Sequence, residues 1–219
     1  MLAIDCAENY GSSAAKLKGL GVDAVIRYFN PLSDGRDSGK SLTAAEARQY
    51  AAAGLQVGIV VEGYGFSNGK GVDGPSGTRD AREVAAWLPT VGIPVATDLV
   101  VWFAVDRDVT AYQINNNVVA YFDAIRAEFD LIGNAPRIGV YGSGWTCFSM
   151  TGTRRADVAW VAGSTGWSEY RSYVASNAWT LLQNIWPRET WKGFDADTNQ
   201  VNDQHGSPGF VVPFSARKI

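Results

Sequence analysis

The apolar run VVWFAVDRDVT, residues 100–110, ends on two aspartates, Asp106 and Asp108. Taking a lone carboxylate out of water costs several kcal/mol, so an acid that ends a core strand is paired, neutralised or hydrated at a rim. Residues two apart on a strand project to the same side, so both acids are expected to face one space. Paired carboxyls without a histidine cluster suit glycoside hydrolysis. One protonates the leaving oxygen, and the other acts as nucleophile or activates water. Burial or a neighbouring acid must raise the donor's pKa. A hard cation such as Mg²⁺ or Ca²⁺ takes the same oxygens, which leaves a metal-dependent hydrolase as a weaker alternative. No metal ligands and no cofactor are assigned.

The ends of the other apolar runs carry further polar groups. They are Asp5 in LAID, Arg27 and Tyr28 in AVIRYF, Glu62 in QVGIVVE, Tyr141 in RIGVYG, Trp160 in VAWVAG, Gln183 in TLLQNI, and Asp195, Asp197 and Asn199 in FDADTN. In a parallel barrel, functional groups come from the C-terminal ends of strands. The catalytic candidates are therefore Asp5, Glu62, Asp106, Asp108 and Asp197. Arg27, Tyr28, Tyr141, Trp160, Gln183, Asp195 and Asn199 are the substrate-binding candidates. Structural readings stand beside these. Asp108 could cap the helix that follows, Asp5 could accept from loop amides, Glu62 could be a solvated loop acid, and Asp195 could pair with Arg188 or Lys192. Trp145, Trp167, Trp186 and Trp191 fall in segments read as loops, where they could stack on sugars.

These residues need a scaffold, and the pattern supplies one. Short β-branched runs at 2–5, 24–29, 56–62, 100–106, 137–142, 158–163 and 180–185, with a weaker eighth at 194–199, alternate with helical stretches. Near-continuous apolar strands between helices indicate a parallel sheet covered by helices. Thr43 and Glu46 form a capping-box pattern ahead of AEARQYAAAG, and Gly54 supplies the stop. Ile114, Val118, Tyr121, Ile125 and Phe129 fall at spacings of three and four, as do Ala81, Val84, Ala85 and Leu88. Helical signal weakens after the fifth run. The expected fold is α/β, a TIM-like (β/α) barrel with shortened or missing helices in its C-terminal half. An open doubly wound sheet is the rival. Residues 1–201 are read as the barrel domain, and 202–219 as a tail that closes it or leads to a further segment.

Composition excludes several classes. Hydrophobic residues make up 46% and charged residues 19% of the 219, which is globular and not disordered. A net charge of −3 offers no basic excess to draw nucleic acid. No apolar run approaches the roughly 18 residues of a membrane span. The strand after Asp5 leads into DCAENYGSS with no G-x-G-x-x-G, and no phosphate loop occurs elsewhere. Cys6 and Cys147 are read as two buried thiols, with a disulfide as the alternative, and His205 stands alone in a polar tail. A monomer is expected. Met1 leads directly into a strand, so no secretory leader is expected in this chain.

The motifs IDCAENYGS, VIRYFN, SLTAAEARQYAAAGLQVGIVVEG, FAVDRD, IGVYGS, AWVAG and LLQNI with FDADTN resemble, in order and over nearly the whole chain, the Rv2525c-like glycoside hydrolase-like domain. That family is similar in turn to the GH25 muramidases. The resemblance implies a strand-one acid at Asp5, an Asp-x-Glu pair at Asp106 and Asp108, a tryptophan strand at Trp160, a glutamine strand at Gln183, and a late Asp-x-Asn at Asp197 and Asn199. It also implies a peptidoglycan-directed glycosidase, acting outside the cell or on the wall, and a phage-lysin-like release through a holin-type route. Position 108 departs from the pattern. An aspartate there is shorter than glutamate by one carbon–carbon bond, about 1.5 Å, and a misplacement on that scale can cost about 100-fold in rate. Glu62 is then the rival acid, and a non-catalytic barrel that binds cell-wall glycan is the rival function.

Overall fold

The computed structural model describes residues 1–30, 39–62, 71–184 and 190–215. Among them, eight strands close into a barrel in sequence order: β1 (Leu2–Asp5), β2 (Ala24–Phe29), β3 (Gln56–Val61), β4 (Val100–Ala104), β5 (Arg137–Gly142), β6 (Val158–Val161), β7 (Leu181–Asn184) and β8 (Asp197–Val201). Closure excludes the open doubly wound sheet. Helices α1 (Ala14–Gly19), α2 (Ala44–Ala52), α3 (Gly74–Trp87), α4 (Ala111–Gln113), α5 (Val119–Ile132), α6 (Gly144–Gly152) and α7 (Tyr170–Ala175) fill the crossovers. A π-helical turn at Ile114–Val118 joins α4 to α5.

The eighth strand corrects the expected all-parallel sheet. β8 runs antiparallel to both β7 and β1. A parallel return needs a crossover, usually helical, to carry the chain back to the start of the barrel. The described residues between β7 and β8 form a turn bridged by Trp191 and Phe194, with no helix.

Alternation divides the apolar residues between two cores. On β4, Val101 and Phe103 face the helices, while Val100, Trp102 and Ala104 face the barrel interior. The interior also holds Ile26, Val60, Val158, Trp160 and Leu181, with Phe210 packed against it from the tail. Trp102 lies across the centre over Gly139, where an added Cβ would come within 2.3 Å of the indole. The chain after β8 passes under the strand N-termini, and Val211 pairs with Val57.

The helices show why particular residues face inward. Ile114, Val118, Tyr121, Ile125 and Phe129 are all buried, and so are Ala81, Val84, Ala85 and Leu88. Thr43 caps α2 by accepting from the Glu46 amide at 3.2 Å, and Gly54 ends the segment at φ +71°. The Glu46 carboxylate serves elsewhere. It takes Arg27 Nε at 2.7 Å, Arg27 Nη2 at 3.2 Å and the Tyr50 hydroxyl at 2.8 Å.

Arg27 therefore belongs to the layer between β2 and α2. It is completely buried, and its Nη1 also donates to the Cys6 and Ala7 carbonyls just past the end of β1. Removing one member of a buried ion pair leaves an uncompensated charge, at a cost of about 3–5 kcal/mol. Arg27→Met is expected to lose that much stability by urea denaturation, and Arg27→Met/Glu46→Leu to recover at least half of it.

Candidate active site

The inward positions at the C-terminal end of the barrel assemble one acid-rich mouth. Asp5, Tyr28, Val60, Glu62, Ala104, Asp106, Tyr141, Trp160 and Gln183 line a recess of about 30 Å³. Among the described residues, that volume holds a water or two.

Asp5 forms the floor and is 4% exposed. Antiparallel β8 sets Asp197 directly opposite it in the ladder, a placement that is unfavourable for two like charges. Amide donors surround the Asp5 carboxyl. Gln183 Nε2 lies 3.0 and 3.1 Å from its two oxygens, and Asn199 Nδ2 lies 2.7 Å from Oδ2. Their neighbours fix the orientation of both amides. Tyr141 Oη and the Gly163 N–H donate to Gln183 Oε1 at 2.9 and 3.2 Å, and Trp160 Nε1 donates to Asn199 Oδ1 at 2.8 Å. Gln183 Nε2 also reaches Asp197 Oδ2 at 3.4 Å. Burial outweighs these donors and, with the charge of Asp197, lifts the Asp5 pKa from 3.8 to about 7.

Asp106 and Glu62 stand higher, at the rim. Asp106 is exposed at the mouth. The protein around it and the charge of Glu62 raise its pKa, while the charge of Lys40 pulls it back. Glu62 accepts from Lys40 Nζ at 2.9 Å and from Asn30 Nδ2. Burial and the nearby carboxylates push the Tyr28 and Tyr141 phenols well above their ordinary pKa.

Asp108 departs from its expected position. β4 ends at Ala104, and the Arg107 amide turns back to the Val105 carbonyl at 2.8 Å. The alternation that would align Asp106 with Asp108 breaks there. Asp108 instead faces the β6–α7 loop, taking the Ser168 amide at 3.1 Å and the Ser168 hydroxyl at 2.9 Å. It does not cap the next helix either; Thr110 does so, in a capping box with Gln113. The loop it holds lies hard against α6. The Trp145 amide bonds the Ser168 carbonyl, and a Cβ at Gly144 would sit 2.2 Å from the Glu169 oxygen.

Two of the substrate-binding candidates lie away from the mouth. Arg27 points outward, as described above. Asp195 precedes β8, is exposed, and anchors the chain through its amide to Tyr10 Oη at 2.9 Å. Trp160 and Asn199 lie within the mouth's hydrogen-bond network, 2% and 1% exposed, beneath the surface a ligand could touch. Trp145 heads α6, Trp167 lies in the β6–α7 loop, and Trp191 carries Lys192 at 5.0 Å. Trp186 and Arg188 lie outside the described residues. Cys6 and Cys147 are separate buried thiols. Among the described residues, no three His, Cys, Asp or Glu side chains gather to hold a metal ion, and no helix is long and apolar enough to cross a membrane. Sequence reasoning missed Lys40, Asn30 and Ser168. Asn30 alone carried a signal, since it directly follows β2.

The profile of the Rv2525c-like, glycoside hydrolase-like domain matches residues 15–211. The chain belongs to that family. Its similarity to YbfG of Bacillus subtilis (strain 168) is 31% identity over 137 residues, which is 60% of this chain and 18% of that protein. The chain thus spans under a fifth of that curated relative. The crystal structure of the Mycobacterium tuberculosis Tat-secreted protein Rv2525c in complex with L-tartrate superposes with a TM-score of 0.72 at 20% identity, covering 94% of this chain and 97% of that one. The modular autolysin LytC from Streptococcus pneumoniae shares the fold at a TM-score of 0.56 and 14% identity, covering 90% of this chain and 46% of that one. The family is described as a glycoside hydrolase-like domain, and these solved structures share its barrel fold.

The Asp5 pKa makes stability depend on pH in a defined direction. With a folded value near 7 against 3.8, the native state holds the proton that the unfolded state gives up. The Asp5 contribution is full below the unfolded value and is lost as pH rises through the folded one, at about 1.4 kcal/mol per pH unit within that window. Urea unfolding of Asp5→Asn between pH 4 and pH 7 is expected to lack that slope, while the wild type shows it.

Proposed function

We propose that the domain is a peptidoglycan-directed glycoside hydrolase of the muramidase type, related to the GH25 enzymes, with Asp106 as its proton donor. The carrying observation is the contrast between the two rim carboxyls. Asp106 is exposed with a raised pKa, and Glu62 beside it is committed to Lys40 and Asn30. A carboxyl with a raised pKa beside one already paired with a cation suits the acid of an acid–base couple.

In this mechanism the glycan lies across the rim over Tyr28 and Tyr141. Asp106 gives its proton to the glycosidic oxygen as the bond to the anomeric carbon breaks. Glu62 faces the positive charge that develops on the ring and takes the proton of the water that attacks the anomeric carbon. Asp5 and Asp197 lie beneath as positioning groups, with Gln183 and Asn199 holding the floor. Asp108 braces the β6–α7 loop and donates no proton. Action on the wall outside the producing cell, by secretion or by holin-type release, follows from this reading. The Tat-secreted Rv2525c relative supports the extracellular part.

A second reading has its own support. The narrow recess and the engagement of Asp108 with Ser168 also suit a barrel that holds cell-wall glycan without cleaving it. Purified walls separate the two. A hydrolase releases new reducing ends, and Asp106→Asn cuts that release by about 10²–10⁴-fold, with thermal stability unchanged or raised. Asp108→Asn is expected to lose less than about tenfold, as befits a brace and not an acid. Sedimentation with walls and no reducing ends at any pH would identify the binding barrel.

A further inference from the structure

Nothing in the sequence pattern singles out Lys40, yet the structure brings it to the mouth. The segment before α2 runs beside β2 like a short extra strand. Ser41 bridges Tyr28, the Leu42 amide bonds the Tyr28 carbonyl at 2.9 Å, and the Asn30 amide bonds Ser41 Oγ at 3.0 Å. This tether fixes the Lys40 backbone over the rim. Its ammonium sits 2.9 Å from Glu62 Oε2 and 5.5 Å over the Tyr28 ring. Glu62 and Tyr28 both line the recess that Asp106 lines.

We propose that Lys40 is a positioning residue that divides the two rim carboxyls into an acceptor and a donor, pairing with Glu62 and easing release of the proton that Asp106 carries. This rests on the hydrolase reading for its catalytic meaning, but not for its physical content. Two neighbouring carboxylates without a counter-charge share protons, and neither has a fixed role. A tethered ammonium on one of them breaks the tie.

Among the described residues, Asp5 from β1, Tyr28 from β2, Glu62 at the end of β3, Tyr141 from β5 and Gln183 from β7 line the recess with Asp106, and Lys40 from the segment before α2 acts on it. Lys40 is the cation among them whose pull on Asp106 is resolved, opposing the push of Glu62. The Lys40 side chain is 43% exposed, so its replacement spares the core.

The test follows the Asp106 carboxyl directly, by ¹³C NMR titration of the full chain as wild type, Lys40→Met, Lys40→Arg and Glu62→Gln. Lys40→Met is expected to move the Asp106 titration to higher pH, Lys40→Arg to restore it, and Glu62→Gln to move it below the wild type. An Asp106 titration that stays put in Lys40→Met overturns the proposal. In the wall assay, Lys40→Met is expected to carry the alkaline limb of the rate profile to higher pH. A uniform loss of rate with no movement of the limb also overturns it. Should the wild type release no reducing ends, the hydrolase reading falls, while the NMR titration still decides the role of Lys40.

Discussion

A carboxyl group buried at the end of a barrel must either be ringed by donors or keep its proton, and Asp5 meets both conditions in part. The antiparallel eighth strand creates the difficulty by setting Asp197 across from it. The same strand supplies part of the remedy, because Asn199, two residues on, faces the same interior and donates to Asp5. Gln183 from β7 supplies the rest. Each amide can serve only because another residue fixes which end it presents: Trp160 for Asn199, and Tyr141 with Gly163 for Gln183. The aromatic residues of the mouth thus act here mainly as orienting groups for the amides. A fully satisfied polar network of this kind specifies one arrangement, where a partly satisfied one would be costly.

The outer side of the barrel supports the same floor. Arg27 pairs with Glu46 on α2 and at the same time holds the Cys6 and Ala7 carbonyls, which follow Asp5 directly. A buried ion pair is weak grounds for stability in itself. Its geometric effect here is clear: the chain leaving β1 is tied to the helix layer, so the acid one residue earlier has little freedom to move.

The strands were legible because burial on both faces demands near-continuous apolar runs, and no polar interruption obscured them. The direction of β8 was not legible, because residue types do not encode whether a strand runs up or down. The clustering of Asp5, Glu62, Asp106, Tyr141, Trp160 and Gln183 could be read from strand ends alone. Arg27 should have been excluded by parity, since adjacent strand residues cannot both face the interior and Tyr28 already did. The parity that would align Asp106 with Asp108 ends with β4 at Ala104, and the turn at Arg107 has no Gly or Pro to announce it. Glu46 fitted a capping pattern so well that its use as the counter-charge to Arg27 was hidden. Lys40 and Glu62 meet across 22 residues of sequence, and the bonds of Ser41 and Leu42 to the end of β2 help bring them together.

From floor to rim, the acids of the mouth meet three different environments. Asp5 is dry and surrounded by neutral amides, Asp106 is open to water but crowded by negative charge, and Glu62 has an ammonium. Carboxyls packed this closely cannot all ionise together, so their surroundings set the order in which they lose protons. Burial and the charge of Asp197 favour a proton on Asp5, burial and the charge of Glu62 favour one on Asp106, and Glu62 pairs with the Lys40 ammonium. Surroundings that favour a proton at Asp106 thus lie beside an ion-paired carboxyl at Glu62. The proposed acid–base cleavage would draw on that difference, which a row of chemically identical aspartates in water would not provide.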